Sequence, residues 1–596
     1  MYVLGLVGAQ GAVGAQGLQG AQGAQGSQGM QGQQGFSILP PLKTGTPINI
    51  IMDTDFQSGD VDDAIALRYL LTHDYLGVIN LLAIVISASN PLTAAAIDNI
   101  CENDGRQGDM PIGQWQGAAF DNAGASYLTD LSGRALREFP TSAVSLIADA
   151  IRVYRRTLVS VIAGGNKTHI VMTGQQNNLQ ALLQSPADDI SSSTGMALVT
   201  AGVDKIIVMG GQYPTGTESN FDTQPAAAAY TTANCPVPMT FVGYEVGQSV
   251  ISGGDSLLVA TNDPIANTLA DFGYPYGRNS WDPMAAVVAV LGETGAGCTT
   301  VAGTNSVNAG SGTNTFTPGA GTHMYVVKAQ SDDLYSDEIN NNMYPPRRLY
   351  GKRATTYAPD ANVNFTPDQA RVPPMAWWMA SDLNVTSALA TWPGHGPTNQ
   401  QWSTHSLAQL TSANRPAAVN TSSGMRVRFN GTNWMDCLDT ILQTQDVTIF
   451  VVVQSNTSAT AAYTEWIVYP VSLTAHTAPY FYIGMGRVNN NYWSRFSGNN
   501  QMSTGTVDWT KLHIAEISSG DGGMNIDGTS SILAQQRQTL AYGTTTGVRV
   551  GANGAGLEGH IGDILEIILF PSAMKNQDRR GVRAYLKRKY VLSVFT

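Results

Sequence analysis

Met52-Asp53-Thr54-Asp55-Phe56-Gln57-Ser58-Gly59-Asp60-Val61-Asp62-Asp63-Ala64-Ile65-Ala66-Leu67 sets five acids within eleven residues, between the apolar run Ile48-Asn49-Ile50-Ile51 and a segment of amphipathic-helix character. A hydrophobic strand passing into a helix through such a segment reads as the carboxyl edge of an open α/β sheet, where ligand crevices form. Like charges this close repel unless a cation or protons compensate them. Hard oxygen donors in this number select Ca²⁺ or Mg²⁺ over zinc. Capping of a helix N-terminus accounts for one or two of the acids but not for five.

Outward from this segment, strand-like runs alternate with helix-length segments from about Ile48 to Lys328. The runs are Ile48–Met52, Leu82–Ile86, Ile170–Met172 and Lys205–Met209, and the helical stretches are Val61–Leu71, Pro91–Cys101 and Ser142–Leu158. Such alternation predicts an open, mostly parallel α/β sheet over residues 37–345. A proline-bearing polar stretch, 346–373, with the basic cluster Arg347 to Arg353, reads as a linker. From 374 to 596 the pattern changes to short alternating strands rich in Thr, Ser, Asn, Gly and Trp, which predicts an all-β sandwich. Val582, Tyr585, Leu586 and Lys589 recur at helical spacing and predict a closing helix.

Asp53-Thr54-Asp55 followed by Asp62-Asp63-Ala64 resembles the N-terminal signature of the inosine-uridine-preferring nucleoside hydrolases. Further landmarks follow in that family's order: Ser89-Asn90, Thr173 to Leu179, Val208-Met209-Gly210-Gly211, Glu218-Ser219-Asn220 and Ser280-Trp281-Asp282-Pro283. The resemblance covers about Ile48 to Val290 and implies a Ca²⁺ ion held by the side chains of Asp55, Asp63 and Asp282 and the main-chain carbonyl of Asn177. It further implies that Asp62, Asn90, Glu218 and Asn220 bond ribose hydroxyls and that Met209 lies beneath the sugar. Asp55 would be the base that deprotonates the attacking water, with Asp62 beside it as a catalytic carboxylate. Three departures stand out: a longer Asp55-to-Asp62 spacing, Gln175-Gln176 in place of Pro-Leu, and Trp281 where well-studied members carry a histidine.

Met375 to Leu383, Val427 to Trp434, Thr448 to Val453 and Ile561 to Phe570 resemble the concanavalin A-like lectin/glucanase jelly roll. That resemblance implies glycan binding, with Trp392, Trp402, Trp434, Trp466 and Trp493 as candidate sugar-stacking rings or as core and trimer-interface residues.

At the other end, glycine takes every third position from Gly5 to Gly35, giving ten Gly-x-y triplets up to Gln34. Only glycine fits where three polyproline-II-like chains meet, so residues 1–36 predict a collagen-like stem and a homotrimer. Its rod length would be about 90 Å at roughly 3 Å per residue. The three-part layout resembles bacteriophage fibres and other virion surface proteins. It implies a virion-surface location, contact with other virion proteins through the stem, and attachment to cell-surface glycans. A secreted or virion-borne calcium-dependent nucleoside hydrolase is the alternative.

Composition fits these classes. The 596 residues exceed what one core serves, and only 13% are charged, with a net charge of -12. That leaves no basic field for nucleic acid. No export signal is evident at the N-terminus and no apolar run of spanning length occurs. Four scattered cysteines exclude a zinc ribbon and a dense disulfide framework.

Overall fold

The computed structural model describes residues 46–343, apart from 57–58, 107, 121–125, 135–137 and 255–262. It also describes residues 365–590, apart from 397–400, 440, 442–445, 456–463, 471–480, 487–491, 497–498, 503–509, 520–523, 528, 532–546, 553–558 and 575. The Gly-x-y repeat and the cluster Arg347 to Arg353 lie outside the described residues.

The α/β part contains strands β1 (Ile48–Thr54), β2 (Ile79–Ile86), β3 (Ile112–Gln114), β4 (Thr168–Met172), β5 (Val203–Met209), β6 (Thr215–Gly216), β7 (Met239–Val242), β8 (Ile251–Ser252), β9 (Arg278–Asn279), β10 (Cys298–Val307), β11 (Asn314–Pro318) and β12 (His323–Lys328). Ten of them form one mixed sheet in the order β3-β2-β1-β4-β5-β7-β12-β10-β11-β6, while β8 and β9 pair apart. From β3 to β12 neighbours run parallel; β10, β11 and β6 add an antiparallel edge. Successive strand residues point to opposite faces. Ile50 and Met52 therefore enter one core, with Ile84, Ile86, Val171 and Ile207, while Ile51 enters the other, with Val85, Ile170, Met172 and Val208. Burial on both faces explains why these strands read as continuous apolar runs.

The chain steps from β1 to β2 to β3 on one side and then returns to place β4 on the other side of β1. Such a reversal opens a crevice at the carboxyl ends of the two flanking strands. Asp55 follows β1 and Thr173 follows β4, so both stand at that crevice.

Two expected helices differ in detail. The helix Asp62–Tyr75 is not amphipathic: every residue from Asp62 to Asp74 is buried, and it packs on the helix Trp281–Gly295. Arg68 looks like a solvent-face residue in the sequence, yet it is fully buried. Its guanidinium bonds Asp104, Asp263 at 3.0 Å and the Met343 carbonyl at 3.1 Å. The helix expected from Ser142 begins instead at Ala150, where the Asp149 carboxylate accepts the Ile151 N–H at 2.9 Å. A capping acid there stops the helix from extending backward.

The C-terminal part consists of two antiparallel sheets. One has the order Ala417–Thr421, Gly424–Asn430, Ile561–Phe570, Thr448–Ser455, His513–Ser518, Met524–Ile526, Thr529–Ser531, with Ala376–Met379 pairing on Ile561–Phe570. The other runs Thr391–Trp392, Leu407–Ala408, Met435–Cys437, Val548–Val550, Thr464–Pro470, Phe481–Gly486, Tyr492–Phe496, Asn499–Met502. Val427, Phe429, Ile449 and Val451 from the first share a core with Trp392, Leu407, Met435 and Val548 from the second. Phe450, Val452 and Ile568 point the other way, against Val582 and Leu586 of the closing helix Asn576–Lys589. Trp392 and Trp402 are buried in this packing, which removes their faces from sugar stacking; Trp434 is half-buried beneath the Arg549 guanidinium, 5.2 Å from its ring.

The described end of the expected linker is packed rather than free. Arg371 is buried against the α/β part, donating to Glu138 at 2.7 Å, to the Met110 carbonyl at 2.7 Å and to Asp98. Among the described residues no helix is long and apolar enough to cross a membrane.

Candidate functional site

At the β1/β4 crevice lies a cavity of about 330 Å³ lined by Asp55, Gly59, Asp60, Asp62, Asp63, Thr173, Met209, Gln212, Thr217, Glu218, Ser219, Asn220, Tyr244, Trp281 and Asp282. Segments far apart in the chain supply these groups. The β1 end and the following loop bring Asp55 and Asp60. Helix N-termini bring Asp62 and Asp63, and Trp281 and Asp282. The end of β5 brings Met209, and the short helix Ser219–Asp222, capped by Glu218, brings Asn220.

Asp62, Asp63 and Asp282 each direct a carboxylate oxygen to a common point, all within 4.8 Å of one another, and all three are buried. The Asp282 N–H donates to Asp62 at 3.0 Å, which locks the two helix starts together. Asp63 accepts from the Thr54 hydroxyl and, at 3.3 Å, from Thr173. Burial drives the Asp62 and Asp282 carboxyls well above the usual carboxylate range, and repulsion from neighbouring acids adds to it. Asp63 moves the same way, chiefly through burial. The donor set fits a hard cation: three oxygens converge, and among the described lining residues there is no lysine or arginine. Arg278 stands outside the lining and is spent on Asp60, which it binds through two bonds of 2.9 and 2.7 Å.

Asp55 lines the same cavity but is not one of the converging three. Its carboxylate accepts from Gln175 Nε2 at 2.8 Å. The residue after it, Phe56, takes the left-handed region at φ 41°. A side chain on Gly174 would lie 2.5 Å from the Asp55 backbone nitrogen, so the β4 loop approaches this acid as closely as glycine permits.

The polar wall opposite is tightly organised. Asn220 Nδ2 donates to the Thr173 carbonyl at 3.1 Å and lies 3.2 Å from Met209 Sδ. Glu218 accepts the N–H groups of Asn220 at 2.8 Å and Gly211 at 3.0 Å. Burial nonetheless pushes its carboxyl up to about 7. Trp281 stacks on Tyr244, with ring centroids 5.5 Å apart, and its indole N–H is committed to the Tyr244 carbonyl at 2.9 Å.

Of the residues expected from the sequence, Asp55, Asp62, Asp63, Met209, Glu218, Asn220 and Asp282 therefore surround one cavity. Asn90 and Asn177 are buried but are not among the lining residues. Asn90 caps its own turn through Leu92 N at 3.0 Å, and Asn177 Nδ2 donates to the Ser87 carbonyl at 3.1 Å. Gln175 went unrecognised as a working residue. Fully buried, it donates to Asp55 and, at 3.4 Å, to Asn220, while its carbonyl accepts from Ser87 at 3.2 Å. Its place directly after a strand bordering the crevice was the available signal.

No protein-family model matches the chain, and no curated protein matches it. Among solved structures, the inosine-uridine preferring nucleoside hydrolase from Bacillus anthracis is similar over 50% of this chain and 99% of its own, at 14% identity and a TM-score of 0.38. The type III effector protein XopQ, solved with adenosine diphosphate ribose, is similar over 51% of this chain and 95% of its own, at 14% identity and a TM-score of 0.36. Trypanosoma rangeli sialidase, solved with sialic acid, is similar over 36% of this chain and 33% of its own, at 12% identity and a TM-score of 0.28.

Proposed function

We propose that the α/β part binds a ribosyl group in a cation-dependent pocket, and that the chain presents this pocket on a homotrimeric virion fibre or decoration protein attached to host-surface glycans. The observation that carries the pocket reading is the convergence of three buried carboxylates beside a polar wall of Glu218 and Asn220. Asp62, Asp63 and Asp282 would hold the ion, and calcium suits an all-oxygen set of this kind. Bound there, it would offset the mutual repulsion of the acids and acidify water. Glu218 and Asn220 supply acceptors and donors for vicinal hydroxyls, and Met209 gives the sugar an apolar floor. The stem reading rests on the unbroken glycine period, and the glycan reading on the antiparallel C-terminal sheets.

Turnover is the second reading, and Asp55 favours it. Held by Gln175 at 2.8 Å and lying outside the converging three, this acid suits the task of taking a proton from attacking water. Against it, no histidine is among the described lining residues and the Trp281 N–H is already committed, so the proton for a departing base would have to come from one of the raised carboxyls. Incubation with inosine or uridine and calcium separates the two. Nucleoside binding without free base supports a binding pocket, free base supports a hydrolase, and no interaction with either compound contradicts both.

A further inference from the structure

A second convergence of ligand-type side chains lies in the C-terminal part, remote in sequence from the acid cavity. Ala408 pairs with Asp436 in antiparallel register, and continuing that register by three residues sets His405 opposite Asp439. Cys437 lies two residues before Asp439 and so faces the same side. The side chains meet as the register requires. His405 Nδ1 is 2.9 Å from Asp439 Oδ2, the Cys437 sulfur is 3.7 Å from the same oxygen, and the three ligand atoms all lie within 4.8 Å of one another.

We propose that His405, Cys437 and Asp439 form a site for a borderline divalent cation, zinc above all. Nitrogen, sulfur and oxygen donors together are the chemistry of zinc, not of calcium, and tetrahedral bonds of about 2.0–2.3 Å put neighbouring ligand atoms about 3.3–3.6 Å apart. The observed 2.9 and 3.7 Å separations bracket that range, so small side-chain rotations bring the three onto one ion. Cys437 is fully buried, His405 is half-buried and Asp439 exposed, which leaves the outer face open for a fourth ligand such as water or a group from a partner. The strand end also has a rigid frame: Asp436 is held by Arg549 at 2.6 and 2.8 Å, and the His405 carbonyl accepts from the Trp378 indole at 2.8 Å.

Cobalt(II) titration of the full chain, followed by absorption, tests the proposal, since only a thiolate ligand gives an intense sulfur-to-cobalt charge-transfer band. The expected result is a saturable band with one equivalent per chain, displaced by zinc but not by calcium. Cys437→Ser should abolish it, and His405→Ala and Asp439→Asn should each weaken cobalt affinity at least tenfold. Asp282→Asn, in the acid cavity, should leave it intact. Failure of the unmodified protein to give the band, or its persistence in Cys437→Ser, would overturn the assignment. Because the unmodified chain supplies the first readout, a variant that fails to fold does not shelter the proposal.

Discussion

At the residue scale the acid cavity is a liability that a cation relieves. Asp62, Asp63 and Asp282 are buried together, and without an ion each opposes the ionisation of the others. Asp282→Asn keeps the shape and removes one charge. The metal-free variant should melt at a higher temperature than the parent, while its calcium affinity falls at least about 100-fold, beyond the cost of losing an outer-shell partner. Differential scanning fluorimetry with and without calcium reads both effects. The pH dependence follows from the same groups. Glu218 and Asp53 are each pushed up to about 7 by burial, so between pH 7 and about 5 the folded state takes up protons that the unfolded state does not. Their contribution makes the metal-free protein more stable as pH falls through that window. His73 opposes it, since burial pushes its ring down to about 4 and the unfolded imidazole takes up its proton first. His169 and His323 are lowered in the same way, but the acids raised by burial, Asp62, Asp63, Asp104 and Asp282 beside Asp53 and Glu218, outnumber the three imidazoles, so the melting temperature without calcium should be higher at pH 5.5 than at pH 7.5, and calcium should reverse the order. The sequence made the acids legible but not their division of labour. Which three converge depends on where the Asp62–Tyr75 and Trp281–Gly295 helices begin, and that is settled 220 residues apart in the chain by the Asp282 to Asp62 bond.

At the scale of elements, the strands of the parallel sheet were legible because apolar residues on both faces leave an unbroken signal in β1, β2, β4 and β5. The antiparallel edge was not. Strand β10 is largely exposed and reads Cys298-Thr299-Thr300-Val301-Ala302-Gly303-Thr304-Asn305-Ser306-Val307, a polar run that hydrophobic periodicity passes over. Buried ion pairs misled in the opposite direction: Arg68 and Arg371 carry a surface residue's chemistry but sit at 0% side-chain exposure, each paired with two acids. Arg371 joins the segment before the C-terminal sheets to the α/β part. Arg371→Met should cost about 3–5 kcal/mol, because Asp98 and Glu138 are left buried and uncompensated. Adding Asp98→Asn and Glu138→Gln should restore much of the loss; urea unfolding of the two variants measures it. If Arg371→Met alone unfolds like the parent, the clamp is unimportant.

For the whole molecule, the chain is multidomain, an α/β part with a large mixed sheet followed by two antiparallel sheets, and its opening repeat sets the expected assembly. A glycine at each third position from Gly5 to Gly35 predicts three chains about one axis, so native mass spectrometry should give about three times 63.1 kDa. Deleting residues 1–36 should shift the mass toward the single chain, and a monomeric full-length protein would remove the fibre reading. The pocket does not depend on that outcome, because its residues all belong to one chain. Its most direct test is calorimetric titration of inosine into the full-length protein, first with calcium and then after chelation. The account predicts saturable binding with calcium that disappears on chelation and in Asp282→Asn; binding of equal strength with and without calcium, or none in either condition, would contradict it.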